Sequence, residues 1–273
     1  REYRGDLPTA NQALRDIHLP ESLIGATKAL ERLTFDEALS LQLLLARRRH
    51  QFETLHAAPR LFRSGGLLEI FDQNLPFELT AGQVEVGKEI ESDMKSERPM
   101  HRLLQGEVGS GKTIVALRAL LAVVDTGGQG ALLAPTEVLA AQHFRSISTT
   151  LGELATAGML GGSDRATRVV LLTGSTNAAA RREILAQIKD GSAGIVIGTH
   201  ALLSEGVDFA DLGLIVVDEQ HRFGVEQRDA LKLKAQLPPH LLVMTATPIP
   251  RTVAMTVFGD LDISTLAELP KGR

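Results

Sequence analysis

The 273-residue chain is 44% hydrophobic and 23% charged, which supplies a substantial core and excludes a disordered class. No run approaches the ~18 apolar residues of a membrane span, and the polar start from Arg1 to Ala10 lacks a secretory pattern, so no membrane partner is expected. The absence of cysteine excludes disulfides and thiolate chemistry and suits a cytoplasmic protein, while a net charge of −4 with one Tyr and no Trp argues against an autonomous, base-stacking nucleic-acid binder.

Pro8-Thr9 opens a short helix carrying Ala13, Leu14 and Ile17, which Leu19-Pro20 stops. Thr34-Phe35-Asp36-Glu37 has capping-box spacing, with Thr34 as the cap and Glu37 three residues on. Leu39, Leu43, Ala46, Phe52 and Leu55 then predict a long amphipathic helix to about Ala58. Inside it, Arg47-Arg48-Arg49-His50 reads as a solvated face or a cover over apolar surface, with a phosphate contact as the alternative. Gly65-Gly66 and Asn74-Leu75-Pro76 mark joints before the next unit.

From about Leu79 the chain alternates helix with apolar strand. The apolar runs are Leu103-Leu104, 131–134, 169–172, 195–197, 214–217 and 241–244. Because they are apolar on every side, they suit strands covered on both faces. Helical stretches fall at 113–124, 137–149, 177–189 and 222–234, and the Gly-rich 152–168 segment reads as a flexible surface loop. This alternation predicts an α/β fold: a parallel sheet with helices on both faces and ligands at the strands' carboxyl ends.

Gly106-Glu107-Val108-Gly109-Ser110-Gly111-Lys112-Thr113 matches G-x-x-x-x-G-K-[ST] between a predicted strand and a predicted helix. Its glycines let successive backbone N–H groups converge on phosphate oxygens, and the helix N-terminus behind them favours negative charge. Lys112 is expected to reach the β/γ-phosphates of ATP, and the Thr113 hydroxyl to ligate Mg²⁺. Asp218-Glu219-Gln220-His221 follows the apolar run 214–217. Asp218 at that strand end is expected to hold Mg²⁺ through water, and Glu219 to polarise the attacking water. On its own, such a carboxylate pair is more often a polar turn. Downstream of a phosphate loop it favours hydrolysis over phosphoryl transfer to a small molecule.

The tetrad continues as Arg222-Phe223-Gly224-Val225-Glu226-Gln227-Arg228. With it the chain resembles superfamily 2 helicases, and within them the RecG family of branched-DNA helicases. The transcription-repair coupling translocases share the Arg-Phe-Gly-Val core but differ in the tetrad and after Val225, and they are the alternative. Thr245-Ala246-Thr247-Pro248-Ile249-Pro250-Arg251-Thr252 is similar to the family's motif III, which couples hydrolysis to DNA contacts. Ala134-Pro135-Thr136-Glu137, Leu172-Thr173-Gly174-Ser175 and Gly198-Thr199-His200 resemble motifs Ia, Ib and Ic, which touch DNA backbone. Each is a small or hydroxyl-bearing cluster just after a predicted strand, suited to phosphate hydrogen bonds without base preference or, equally, to helix capping. Upstream, 75–80 followed by Gln83 resembles the adenine-recognising Q motif, with Phe77 against the ring and the Gln83 amide on its edge. The same segment also reads as a helix start capped by Thr80.

The resemblance implies a RecA-like P-loop fold over 76–258, preceded by a helical linker over 1–75 and followed at 259–273 by the link to a second motor domain. It implies ATP and Mg²⁺ as cofactors and branched duplex DNA (forks and Holliday junctions) as partner, for a monomer. Besides the pairs already placed, it assigns DNA-contact or coupling roles to Pro135, Thr136, Gly174, Ser175, Thr199, His200, His221, Gln227, Arg228, Thr245 and Thr247. The lack of an initiating Met, of a wedge domain and of motifs IV to VI leads us to expect a piece of a longer chain.

Overall fold

Residues 5–157, 166–218, 234–246 and 261–268 are described by the computed structural model, apart from the side chains of Arg48, Phe52 and Glu53. They fall into two units, one ending at Gln51 and one from Phe52 that carries the sheet.

In the first unit, α1 (Ala10–His18) starts where the pattern puts it, with the Thr9 hydroxyl accepting from the Gln12 N–H at 3.3 Å. The start of the next helix differs. α2 runs from Leu23 to Glu53 without interruption, so Thr34 lies inside it rather than at its cap. Ser22 does the capping instead, its hydroxyl accepting from the Gly25 N–H at 3.1 Å. The reason is local propensity: Ala26, Lys28, Ala29, Leu30, Glu31 and Arg32 are good helix formers, and extending an existing helix costs less than starting a new one. Arg32 adds to this by bonding both Asp36 at 2.8 Å and the Pro8 carbonyl at 2.9 Å. Arg47, Arg49 and His50 are exposed.

The second unit is built on seven strands: β1 (His101–Gly106), β2 (Gln129–Leu133), β3 (Arg168–Leu172), β4 (Ala193–Gly198), β5 (Leu212–Asp218), β6 (His240–Thr245) and β7 (Asp262–Leu266). They lie in the order β3-β4-β2-β5-β6-β1-β7, and every pairing is parallel. All residues of β2, β4 and β6 are buried, so both faces of the sheet are covered, as the continuous apolar runs require. The covering helices are α3 (Leu67–Gln73), α4 (Ala81–Met94), α5 (Lys112–Asp125), α6 (Glu137–Leu151) and α7 (Ala178–Lys189).

Strand β7 at the edge lies in the stretch read as an onward link. Its Arg102↔Asp262 to Gly106↔Leu266 register adds it beside the phosphate-loop strand. Arg102 secures it, bonding Ser264 at 2.7 Å, Glu89 at 2.9 Å and Asp93 at 2.8 Å, while the Ser264 hydroxyl also donates to Glu89. Burial raises the Asp93 carboxyl above its ordinary value against the pull of Arg102. The supposed loop 152–168 is also more ordered at its ends than its glycines suggest. Gly152–Ala155 is a 3₁₀ turn, Leu154 is buried in the core, and Thr156 pairs with Arg168. Residues 158–165 lie outside the described ones.

At the opposite, amino end of the sheet a strap crosses the strands. Ala57 and Arg60 donate their N–H groups to the Glu97 and Met94 carbonyls, both at 2.7 Å. The Arg60 guanidinium grips Asp211 through two bonds of 2.7 and 2.6 Å and lies on Gly128 and Gly213, where any side chain would collide with it.

Candidate phosphate site at the carboxyl edge

The ladder aligns Leu172, Gly198, Leu133, Val217, Val243 and Leu103 in one row across β3, β4, β2, β5, β6 and β1. One residue further along each strand stand Thr173, Thr199, Ala134, Asp218, Met244 and Leu104. The predicted clusters, scattered over more than a hundred residues of chain, therefore meet along one edge of one sheet. The phosphate loop leaves β1, Asp218 ends β5 two strands away, and at 4.7–4.9 Å per strand these starts are about 10 Å apart. The Ia, Ic and Ib clusters follow outward on β2, β4 and β3.

The loop itself is shaped by two left-handed glycines, Gly109 at φ 89° and Gly111 at φ 85°. Gly111 caps α5, and the N–H groups of Ile114 and Val115 turn back to its carbonyl at 3.0 and 3.3 Å. Lys112 curls over the loop, its Nζ donating to the Gly106 and Glu107 carbonyls at 2.7 and 2.9 Å. Ser110 is buried, and its Oγ has no hydrogen-bond partner among the described residues. Thr113 sits half-buried in the first turn of α5. Glu107 and Val108 are exposed on the loop crest. Backbone donors, a helix N-terminus, one ammonium and an unused hydroxyl together form a receptor for an oxyanion.

Thr80 and Gln83 form a reciprocal capping box at the start of α4, with bonds of 3.0 and 3.2 Å. The Gln83 amide also donates from Nε2 to the Ser110 carbonyl at 2.9 Å and is buried. Gln83 thus braces the phosphate loop from behind, and an adenine contact through the same amide competes with these bonds. Phe77 is 46% exposed.

Among the turns after β2 and β4, Thr136 and Thr199 perform the capping that such clusters allow. Thr136 Oγ accepts from the Leu139 N–H at 3.3 Å, and Thr199 Oγ from the Ala201 N–H at 3.5 Å. Gly174, Ser175 and His200 are exposed, Pro135 is half-buried, and Thr245 is buried at the end of β6. Glu219, His221, Gln227, Arg228 and Thr247 lie outside the described residues.

Two contacts had no individual signal in the sequence. Glu137 accepts from the Ser175 N–H at 3.1 Å and the Ser175 hydroxyl at 2.7 Å. The hydroxyl bond, helped by backbone bonds from Ser175 and Gly174 and by His200, holds this carboxyl below its ordinary value. His143 in α6 places Nε2 2.6 Å from Asp218 Oδ2. Only the topology could reveal that pair, since 75 residues separate its members.

A DEAD/DEAH box helicase family profile matches residues 80–256, well over half of the chain. The chain belongs to the DEAD/DEAH box helicases. Over 275 residues this helicase chain is 60% identical to the ATP-dependent DNA helicase RecG of Mycobacterium tuberculosis, covering 100% of itself and 37% of that protein. With RecG of Bacillus subtilis the identity is 44% over 268 residues, covering 98% of this helicase chain and 37% of the relative. Among solved structures it is similar to RecG bound to a three-way DNA junction, with a TM-score of 0.78 and 39% identity over 96% of this chain and 33% of the other. The helicase chain therefore spans about a third of the length of these relatives. The likeness to RecG runs along its whole length, which favours that resemblance over the transcription-repair coupling alternative.

Proposed function

We propose that this chain is the ATP-binding half of a RecG-type DNA motor that remodels stalled forks and Holliday junctions. The observation that carries the reading is the shared edge: a phosphate cradle, a strand-end carboxylate and three hydroxyl-bearing turns lie side by side on one rigid sheet. On the same reading, 1–75 connects to an upstream wedge, 259–273 leads to a second motor domain, and the intact protein acts as a cytoplasmic monomer.

The residues present fit Mg-ATP. The glycine-shaped loop and the α5 N-terminus offer donors to the phosphates, Lys112 trades the loop carbonyls for a phosphate oxygen, and the unused Ser110 hydroxyl adds a donor. Thr113 and Asp218 would hold Mg²⁺, which would supply positive charge against the phosphates. Glu219 takes the proton of the attacking water. Ser175, His200 and their neighbours bind DNA backbone, so that contact carries no sequence preference.

On this reading the cationic finger that RecA-like motors use across the nucleotide comes from the second motor domain, and such fingers are worth roughly 10³–10⁵ in rate. Purified residues 1–273 are therefore expected to bind nucleotide weakly and hydrolyse it very slowly. Robust DNA-stimulated ATPase from that piece overturns the half-site reading. In the full-length protein, Lys112→Ala should abolish turnover while branched-DNA binding persists. If DNA binding disappears instead, Lys112 serves the fold or the DNA surface.

A further inference from the structure

The contact between His143 and Asp218 lies within the edge yet has no part in the roles assigned so far. Both side chains are largely enclosed, at 12% and 15% exposure, and the 2.6 Å separation is that of a charge-assisted hydrogen bond. Asp218 has two carboxylate oxygens, and His143 engages only Oδ2. A strand-end aspartate without such a partner can turn about its side-chain bonds. Fixing one oxygen removes that freedom and leaves Oδ1 as the acceptor for a neighbouring group.

The element that delivers His143 is also informative. α6 begins at the Thr136 cap, and its first residue, Glu137, grips the Ser175 turn through two bonds. The same rigid helix thus holds the turn beside β3 and the carboxylate at the end of β5. A simple packing tie needs only apolar side chains, such as Ala140 and Ile147, which α6 already places in the core. A part-buried polar bond to the carboxylate that ends β5, two strands from β1, calls for more than packing.

We propose that His143 is a positioning residue for Asp218, holding Oδ2 so that Oδ1 is presented to the metal that accompanies the nucleotide. The proposal rests on the reading of Asp218 as a metal-holding carboxylate. Outer partners of this kind typically change metal affinity 10–100-fold when removed.

The test is equilibrium binding of a fluorescent, non-hydrolysable ATP analogue to the full-length protein, titrated with Mg²⁺. His143→Phe keeps the ring but removes the donor, and should raise half-saturating Mg²⁺ by roughly 10-fold or more. Binding of the analogue in EDTA and the thermal melt should stay as in the wild type. His143→Gln, whose amide can still donate to Oδ2, should restore most of the Mg²⁺ response, and it provides the comparison should His143→Phe melt early. A wild-type Mg²⁺ requirement in His143→Phe overturns the proposal, as does an equal loss in EDTA. Asp218→Asn separates the two layers: if it leaves the Mg²⁺ titration unmoved, the metal reading of Asp218 has failed. If it shifts the titration and His143→Phe does not, only the positioning role has.

Discussion

His240 offers a stability test that involves no ligand. It opens β6 fully inside the sheet unit, with Nδ1 accepting the Met100 N–H at 3.0 Å and Nε2 facing the Ala58 carbonyl at 3.4 Å. The first bond requires a bare Nδ1, so the ring is neutral. Burial is the main force that lowers its pKa from 6.5 to about 4, with the nearby Arg60 charge adding to it and the Ala58 carbonyl opposing. Because the folded value lies below the unfolded one, the unfolded chain takes up the proton first. The associated stability is complete above pH 6.5 and drains away as pH falls toward 4. At about 1.4 kcal/mol per unit the full effect is about 3 kcal/mol, of which about 2 kcal/mol is gone by pH 5. The direct assay is NMR of the His240 ring, whose midpoint should lie near 4 in the folded protein. Urea melts of wild type and His240→Asn at pH 7.5 and 5 provide the energetic check, since the variant has no ring to protonate and its gap from wild type should narrow in acid. A ring midpoint near 6.5, or parallel acid losses in both proteins, refutes this account of the strap.

Other sites give equally definite expectations. Gly111→Ala puts a methyl in the left-handed region and 2.2 Å from Gln83 Nε2, so beyond about 1–2 kcal/mol of backbone strain it should displace the brace and abolish nucleotide binding, as read by fluorescent-nucleotide titration. Arg60→Met removes both bonds to Asp211; because Asp211 keeps access to water the cost should be about 1–2 kcal/mol, a fall of about 2–4 °C per kcal/mol in the melt. The Glu137 carboxyl should titrate below its ordinary 4.5 by carbon NMR, and Ser175→Ala should move it back up.

The sheet was legible where burial is two-sided. β2 to β6 announce themselves as continuous apolar runs, and β1 by Leu103-Leu104, because helices cover both faces. β7 did not, because at the edge its Asp262-Ile263-Ser264-Thr265-Leu266 mixes exposed, half-buried and buried positions and its partner Arg102 lies far back in the chain. α3 hid between Gly66 and Pro76: seven residues are too few for a periodic signal, and the helix is held by the Asp125 carboxylate, which caps the Leu67 and Leu68 N–H groups at 2.6 and 3.0 Å. In the candidate site, spacing alone picked out the glycine-shaped loop between β1 and α5, since a loop that turns its backbone N–H groups inward needs glycines at fixed positions. It could not reveal His143 or the inward use of Gln83, because a lone side chain on a helix acquires meaning only from what the topology brings against it.

The edge strand also bears on how force enters the molecule. β7 is hydrogen-bonded along its length to β1, and its last residue, Leu266, sits so close to Gly106 that a methyl there would lie 3.0 Å from both its Cβ and its carbonyl oxygen. Tension applied to the polypeptide beyond Leu266 is therefore borne in shear by the very strand that ends in the phosphate loop, with no intervening spring. Any displacement of β7 along its axis would have to be taken up at Gly106, the first residue of the candidate cradle.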